Sequence, residues 1–407
     1  YWLSDFQAFR RTGPPQRDPG PDGRPPDNRH PMDVAIAHLS TAFPLATPEW
    51  SAWSATMRPP QLKGTWALSG YQAGKGPVFG TVTIAPQGAD GSGEFTTQAA
   101  YTIPRTGEHV TRTGRALVYT GYQWRGRSSE PGTQHELREV MFIDRDWRRA
   151  EGRWFAGAYD ETGIDVRLDR LGADPVITGV SEPMIHAGAT GQELRVFGAN
   201  LPNRPAAADF DFGPGVTVDR IVSAQPEEVV VAVSAAKAAT PGRRSVLLAG
   251  ATGEATVAVY DAVDFIKVTP QAGLARVGGV NFPKQLQQFE AIAYANGPDG
   301  KPDTKDDIEL GPVGASWSVE EYTATFDDDD KDFVGAIDGA TGLFTPNVDG
   351  PNPKRKHNAN NYGDVWVVAT YQPKNDAAAD ARPLKARAHL LVTVPLYMKW
   401  DEPEVGK

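Results

Sequence analysis

The chain has 407 residues, too many for one hydrophobic core of ordinary size, so three or four domains are expected. Its 42 glycines and 34 prolines, set among 40% apolar residues, point to a folded β-rich protein with many turns, and no run approaches the ~20 apolar residues of a membrane span. A formal net charge of −10 argues against a nucleic-acid binder, and the absence of cysteine excludes disulfides, thiolate zinc sites, cysteine nucleophiles and thioether-linked haem within these residues.

Residues 1–31 carry Pro14, Pro15, Pro19, Pro21, Pro25, Pro26 and Pro31 among charged residues, and read as an extended arm or covering loop. Met32, Ile36, Leu39 and Phe43 fall at the spacing of an amphipathic helix. A second short helix is predicted with Thr47 as N-cap and Pro48 at its first position, carrying Trp50, Trp53 and Met57 on one face until Pro59 and Pro60 stop it. Residues 1–60 thus form a proline-rich arm and helical segment. The chain starts at Tyr1 without Met, as a processed mature protein or a trimmed start would.

From 61 to 172 the pattern changes to short alternating runs parted by glycines. Gly80–Ile84, Arg115–Thr120, Arg138–Ile143 and Gly152–Phe155 read as strands of an antiparallel β-barrel-like domain. Asp174-Pro175 opens a third unit, 173–262, with strands near Leu194–Phe197, Val216–Val222, Val229–Val233 and Ser245–Leu248. Within it, Glu193–Pro202 looks like the first half of an IPT/TIG-type immunoglobulin domain, with Gly198 and Asn200 making a tight bend. The fourth unit, 263–407, has strands near Phe289–Ala293, Ala315–Val319, Asp364–Tyr371 and Lys385–Val394. The expected fold class is therefore mainly β: a short helical segment, an antiparallel barrel or sheet, and two immunoglobulin-like β-sandwiches.

The stretch Tyr294–Pro346, followed by Asp349–Pro353, Asn360–Tyr371 and Ala386–Tyr397, resembles the C-terminal immunoglobulin-like domain of the quinohemoprotein amine dehydrogenase α subunit. Leu62–Gly70, Ala116–Gly126 and Glu151–Phe155 are similar to the second domain of the same subunit. Met32 and His38, by their place before that domain, look like the tail of the family's dihaem cytochrome domain. Here the sequence departs from the family, for no Cys-x-x-Cys-His exists to attach haem. The haem-bearing part either precedes Tyr1 or is lost in this relative. The resemblance implies a periplasmic complex that oxidatively deaminates primary amines and passes electrons to a c-type cytochrome or similar acceptor. It implies a β-propeller partner subunit and a small partner subunit bearing cysteine tryptophylquinone, with this chain as a scaffold that holds no catalytic residue.

Other motifs carry less chemistry. Gly70–Gly76 has three residues between Gly70 and Gly74 where a phosphate loop needs four, and no Ser or Thr follows Lys75, so it reads as a hairpin loop. His30, His38, His109, His135, His186, His357 and His389 are scattered without metal-ligand spacing. Arg10-Arg11 and Lys354–His357 read as solvated basic loops, with docking to an acidic neighbour as the alternative. Asp327–Asp330 with Asp332 is too repulsive to bury unpaired, and reads as surface, a cation site or an interface to a basic partner. Asp299, Asp303, Asp306, Asp307 and Glu309 offer hard oxygen ligands in one glycine-punctuated loop, so the alternatives there are calcium and a solvated turn. A different class of function, a secreted non-catalytic protein binding a polymer or a protein, would use Trp124, Trp147 and Trp154 to stack on sugar rings, against the commoner fate of core packing.

Overall fold

Alternation of inward apolar and outward polar side chains closes eight consecutive strands into a barrel. The computed structural model describes residues 61–395, apart from 88–92, 120–121, 134, 158, 160, 254, 280–281, 323–327 and 374–381. The arm and helices expected over 1–60 lie outside the described residues.

The barrel strands are β1 (Gly64–Gln72), β2 (Gly76–Pro86), β3 (Glu94–Ile103), β4 (Glu108–Tyr119), β5 (Gln123–Ser129), β6 (Glu136–Ile143), β7 (Arg149–Phe155) and β8 (Gly163–Arg170). Each pairs antiparallel with the next, and β8 returns to β1, so no edge is left open. In β3 the residues Phe95, Thr97, Ala99, Tyr101 and Ile103 are buried while Glu94, Gln98 and Ala100 face water. Trp66, Trp124 and Trp154 fill the interior, and Trp66 Nε1 donates to the Leu62 carbonyl at 3.0 Å. The four strands expected here fall in β2, β4, β6 and β7. The others, such as β5 with its sequence QWRGRSS, carry too few apolar residues to stand out, because a small barrel buries only alternate positions.

The middle sandwich comprises β9 (Val176–Val180), β10 (Met184–His186), β11 (Gln192–Ala199), β12 (Phe210–Asp211), β13 (Val216–Gln225), β14 (Glu228–Ala235), β15 (Gly242–Leu248) and β16 (Ala255–Tyr260). Its sheets run β10-β16-β15-β12 and β13-β14-β11-β9, around a core that includes Leu194, Val196, Val231, Val246 and Val257. Asn200 takes the left-handed conformation (φ 53°) and its side-chain amide donates to the Gly172 carbonyl at 3.0 Å. Gly198 plays a different part from the bend expected of it. It lies inside β11, where a Cβ would come within 2.1 Å of the Val176 carbonyl oxygen.

The C-terminal sandwich comprises β17 (Phe265–Thr269), β18 (Ala272–Arg276), β19 (Gln287–Gln288), β20 (Glu290–Ala295), β21 (Ile308–Val313), β22 (Ser316–Glu321), the short helix α1 (Asp330–Phe333), β23 (Gly335–Ile337), β24 (Leu343–Pro346), β25 (Gly363–Tyr371) and β26 (Leu384–Thr393). Its sheets are β17-β20-β21, β18-β26-β25-β22 and a small β19-β24-β23, sharing a core with Phe289, Trp317, Phe344, Val365 and Leu390.

A glycine sits at each of the three places where these units meet. A Cβ on Gly179 would lie 2.2 Å from Phe79, whose ring stacks on Phe197 at 4.6 Å and ties barrel to middle sandwich. A Cβ on Gly74 would lie 2.7 Å from the Gln288 side chain, at the contact of barrel and C-terminal sandwich. One on Gly311 would lie 3.1 Å from Pro183, at the contact of the two sandwiches. At Gly179 the Phe79 ring leaves no room for a Cβ, while at Gly74 and Gly311 the positive φ (81° and 120°) adds to the tight contact in favouring glycine.

Candidate functional site

The acidic loop between β20 and β21 uses its carboxylates on itself. Asp306 accepts from the Asp299 backbone at 3.2 Å and from the Thr304 hydroxyl at 2.7 Å, and these donors hold its carboxyl below the usual range. Asp307 accepts from the Thr304 amide at 2.8 Å, and Asp299 from the Lys301 amide at 2.8 Å. Asp303 (φ 63°) turns instead to Lys267 at 2.8 Å, and Glu309 accepts from the Tyr294 hydroxyl at 3.2 Å. Burial first, and Glu309 second, push that phenol up to about 12. The five residues are thus spread over three neighbourhoods, and among the described residues no three of them bring ligand oxygens within 4.8 Å of one another. Sequence reasoning missed Thr304 and Lys267 as the partners, since neither is acidic.

Asp328, Asp329 and Asp330 do converge, and the last two meet a cation of the chain itself. Arg355 donates from Nη2 to Asp329 at 2.7 Å and to Asp330, and from Nη1 to the Asn360 and Tyr362 carbonyls at 2.6 and 3.0 Å. Arg355 is 8% exposed, which corrects the solvated reading at that residue, while Lys354, Lys356 and His357 are exposed as expected. The buried Asp330 likewise corrects the surface reading at one position of the acidic run, and Asp332 is exposed. The other Asp330 oxygen accepts from the Asp364 amide at 2.9 Å. Burial raises the Asp330 carboxyl against the opposing pull of that amide and of Arg355. Asp327 lies outside the described residues.

Inside the barrel, Glu139 accepts from Trp124 Nε1 at 2.9 Å. Nearby, Arg112 donates to the Ser128 and His135 carbonyls at 2.7 and 2.8 Å and pairs with Glu130 at 3.0 Å. Burial drives the Glu139 carboxyl upward, opposed by Ser128, Trp124 and Arg112. Trp124 and Trp154 are 1% and 2% exposed and belong to this core, so they are not available to stack on sugar rings. The exposed aromatic cluster is elsewhere, on the outer face of β25 and β26. There Tyr322 packs on His389 at 4.4 Å and on Trp366 at 4.8 Å, Arg387 covers Trp366 at 4.3 Å, and His389 pairs with Asp364 at 3.0 Å. Spacing gave no signal for it, because two strands and a loop contribute one or two residues each.

The turn of the β1–β2 hairpin, which Gly70–Gly76 proves to be, reaches the C-terminal sandwich. Glu290 Oε1 accepts from the Tyr71 hydroxyl at 2.8 Å and from the Gly74 amide at 2.9 Å. Burial raises the Glu290 carboxyl, and burial with Glu290 beside it raises the Tyr71 phenol. Glu161, from the β7–β8 turn, accepts from the Leu286 amide at 2.9 Å. Beside these contacts a cleft of about 1010 Å³ opens between all three units, walled by Tyr71 and Phe79, Met184 and Tyr260, and Pro312 and Val313.

Family comparisons match this architecture unit by unit. Residues 59–171 match quinohemoprotein amine dehydrogenase α subunit domain II, 174–261 match domain III and 266–405 match domain IV. No match was found among curated proteins. Among solved structures, a redesigned β-barrel is 15% identical over 27% of this chain and 92% of its own, with a TM-score of 0.24. The human desmocollin-1 ectodomain is 12% identical over 81% of this chain and 75% of its own, with a TM-score of 0.19.

The family name implies haem and a quinone. The residues here do not fit a covalently held haem or a cysteine-linked quinone, because both attachments need a cysteine and the sequence has none. Three of the histidines are also engaged: His109 with Thr102, His186 against Tyr260 and His389 with Asp364. Three family models in unbroken order II, III, IV nonetheless account for nearly everything between residues 59 and 405, and the chain belongs to the quinohemoprotein amine dehydrogenase α subunit family.

Proposed function

We propose that this chain is an α-type subunit of a periplasmic amine dehydrogenase complex, which oxidises primary amines to aldehyde and ammonia and passes the electrons to a c-type cytochrome or a similar acceptor. The chain's own part is that of a scaffold. It holds a β-propeller subunit and a small subunit bearing cysteine tryptophylquinone, and the haem and quinone are carried outside the residues described here. The observation that carries this reading is the match of all three β units, in order, to one subunit of one enzyme family. The interlocking of those units through Glu290, Phe79 and Gly311 supports a scaffolding role, since a rigid body presents a fixed surface to its partners.

The test is purification from the native source, with haem staining and quinone redox-cycling staining of every co-purifying band. A small quinone-positive band and amine-dependent dye reduction are expected. A chain that purifies alone and supports no amine-dependent reduction would sink the reading. The polymer-binding alternative loses its main support once Trp124 and Trp154 are found in the barrel core.

A further inference from the structure

The three-unit cleft has features that its scaffolding role does not use. Its volume of about 1010 Å³ is at the upper end for small-molecule sites, which favour the junctions of domains. Thr178, in its lining, is the extra residue of a β-bulge. Gly179 pairs with Phe197 and Ile177 with Gly198, so Thr178 has no residue opposite. Bulges re-aim side chains next to binding sites. The Thr178 hydroxyl is buried there without a hydrogen-bond partner, an exception in folded proteins that calls for a missing one.

The charges of the lining narrow the ligand. Asp165 is paired with Arg153 at 2.5 Å, and Arg167 with Asp169 at 2.6 Å and with Glu151 at 3.9 Å. Among the described residues neither Arg105 nor Glu182 forms a direct ion pair, although the Arg105 charge acts at longer range on Glu290 and Tyr71. Arg105 stands on the β3–β4 turn with its stem over Gly76. Glu182 is exposed at the rim, between β9 and β10, where water and salt screen its charge. From the apolar walls, the unpartnered hydroxyl and the unpaired guanidinium, we infer that the cleft binds a small amphipathic organic anion, a flat apolar body carrying one carboxylate or sulfonate.

The probe is anilinonaphthalene sulfonate, whose fluorescence rises in apolar surroundings, titrated into the purified full chain. Saturable one-to-one binding is expected. Arg105→Glu should weaken it by at least about tenfold, the scale of a charge-assisted contact. Thr178→Val should weaken it several-fold while the melting temperature holds or rises, because the change deletes a buried hydroxyl that the unliganded fold leaves unsatisfied. Glu182→Gln should leave binding intact or tighten it. Equal affinity in wild type and Arg105→Glu would identify adventitious dye adsorption and overturn the proposal. So would unchanged binding in Thr178→Val, or loss of binding in Glu182→Gln with Arg105→Glu silent, which would mean a ligand of the opposite charge.

Discussion

At Glu139 the barrel buries a carboxyl that water would otherwise solvate, with Trp124 Nε1 as its close donor and Arg112 as the nearby charge. Its folded pKa lies above its unfolded value, so the stability linked to it is complete below the unfolded pKa of about 4.3 and is lost as pH rises through the folded one. Glutamine keeps the shape and cannot ionise. The melting temperature of Glu139→Gln, relative to wild type, should therefore climb between mildly acidic and mildly alkaline pH; a flat difference would mean that Arg112 neutralises the carboxylate fully. Asp303, on an exposed loop whose other carboxylates cap their own backbone, is paired with Lys267 of β17. Millimolar calcium is expected to leave the melting curve unchanged, and a rise that Asp303→Ala abolishes would show that the loop reopens to hold the ion.

The β1–β2 hairpin shows how an element with little core of its own can decide a contact. Its turn glycine, Gly74, has φ 81°, a conformation that costs other residues about 1–3 kcal/mol, and its amide and the Tyr71 hydroxyl share one Glu290 oxygen. Glu290→Ala should destabilise the protein by about 1–3 kcal/mol for each donor left buried without an acceptor, whereas Glu290→Gln keeps an acceptor and should cost less. Equal losses in chemical denaturation would show that charge, not hydrogen bonding, holds the hairpin. On the barrel wall, β7 and β8 carry a ladder of opposite charges facing each other across the strands, Arg149 with Asp169 at 2.8 Å and Arg153 with Asp165 at 2.5 Å. Such cross-strand pairs contribute roughly 0.2–1 kcal/mol each and also mark which face is wet.

For the whole molecule, the described cores begin at Leu62, which is 1% exposed and packs with Trp66 inside the barrel. Deleting residues 1–60 should leave the β units folded, with near-normal melting and circular dichroism, and should damage assembly with partner subunits more than stability. Leu62→Ala, one step further in, should cost about 2–5 kcal/mol. If the truncated chain failed to fold, the arm would have to be part of a β core. Gly179→Ala tests the rigidity of the assembled units, because the new methyl group must push Phe79 off Phe197. Loosening between barrel and middle sandwich should then appear as a separate, earlier unfolding step.

Much of this was legible in the sequence because it depends on local order. Glycine and proline spacing announced β units, alternating runs gave strands such as β6 and β25, and the missing cysteine ruled out covalent haem in these residues. The phosphate-loop likeness of Gly70–Gly76 failed on its spacing alone, as the β1–β2 hairpin bears out. What the tertiary structure decided are relations between residues far apart in the chain: Arg355 with Asp329 and Asp330, Glu139 with Trp124, Tyr71 with Glu290. A charged run reads as surface when its neighbours in sequence are all that is known, yet a single guanidinium brought in across 25 residues is enough to bury Asp330. The same holds for the bulge at Thr178 and the cleft it lines, since a strand's register and the meeting of three units exist only once the chain is folded.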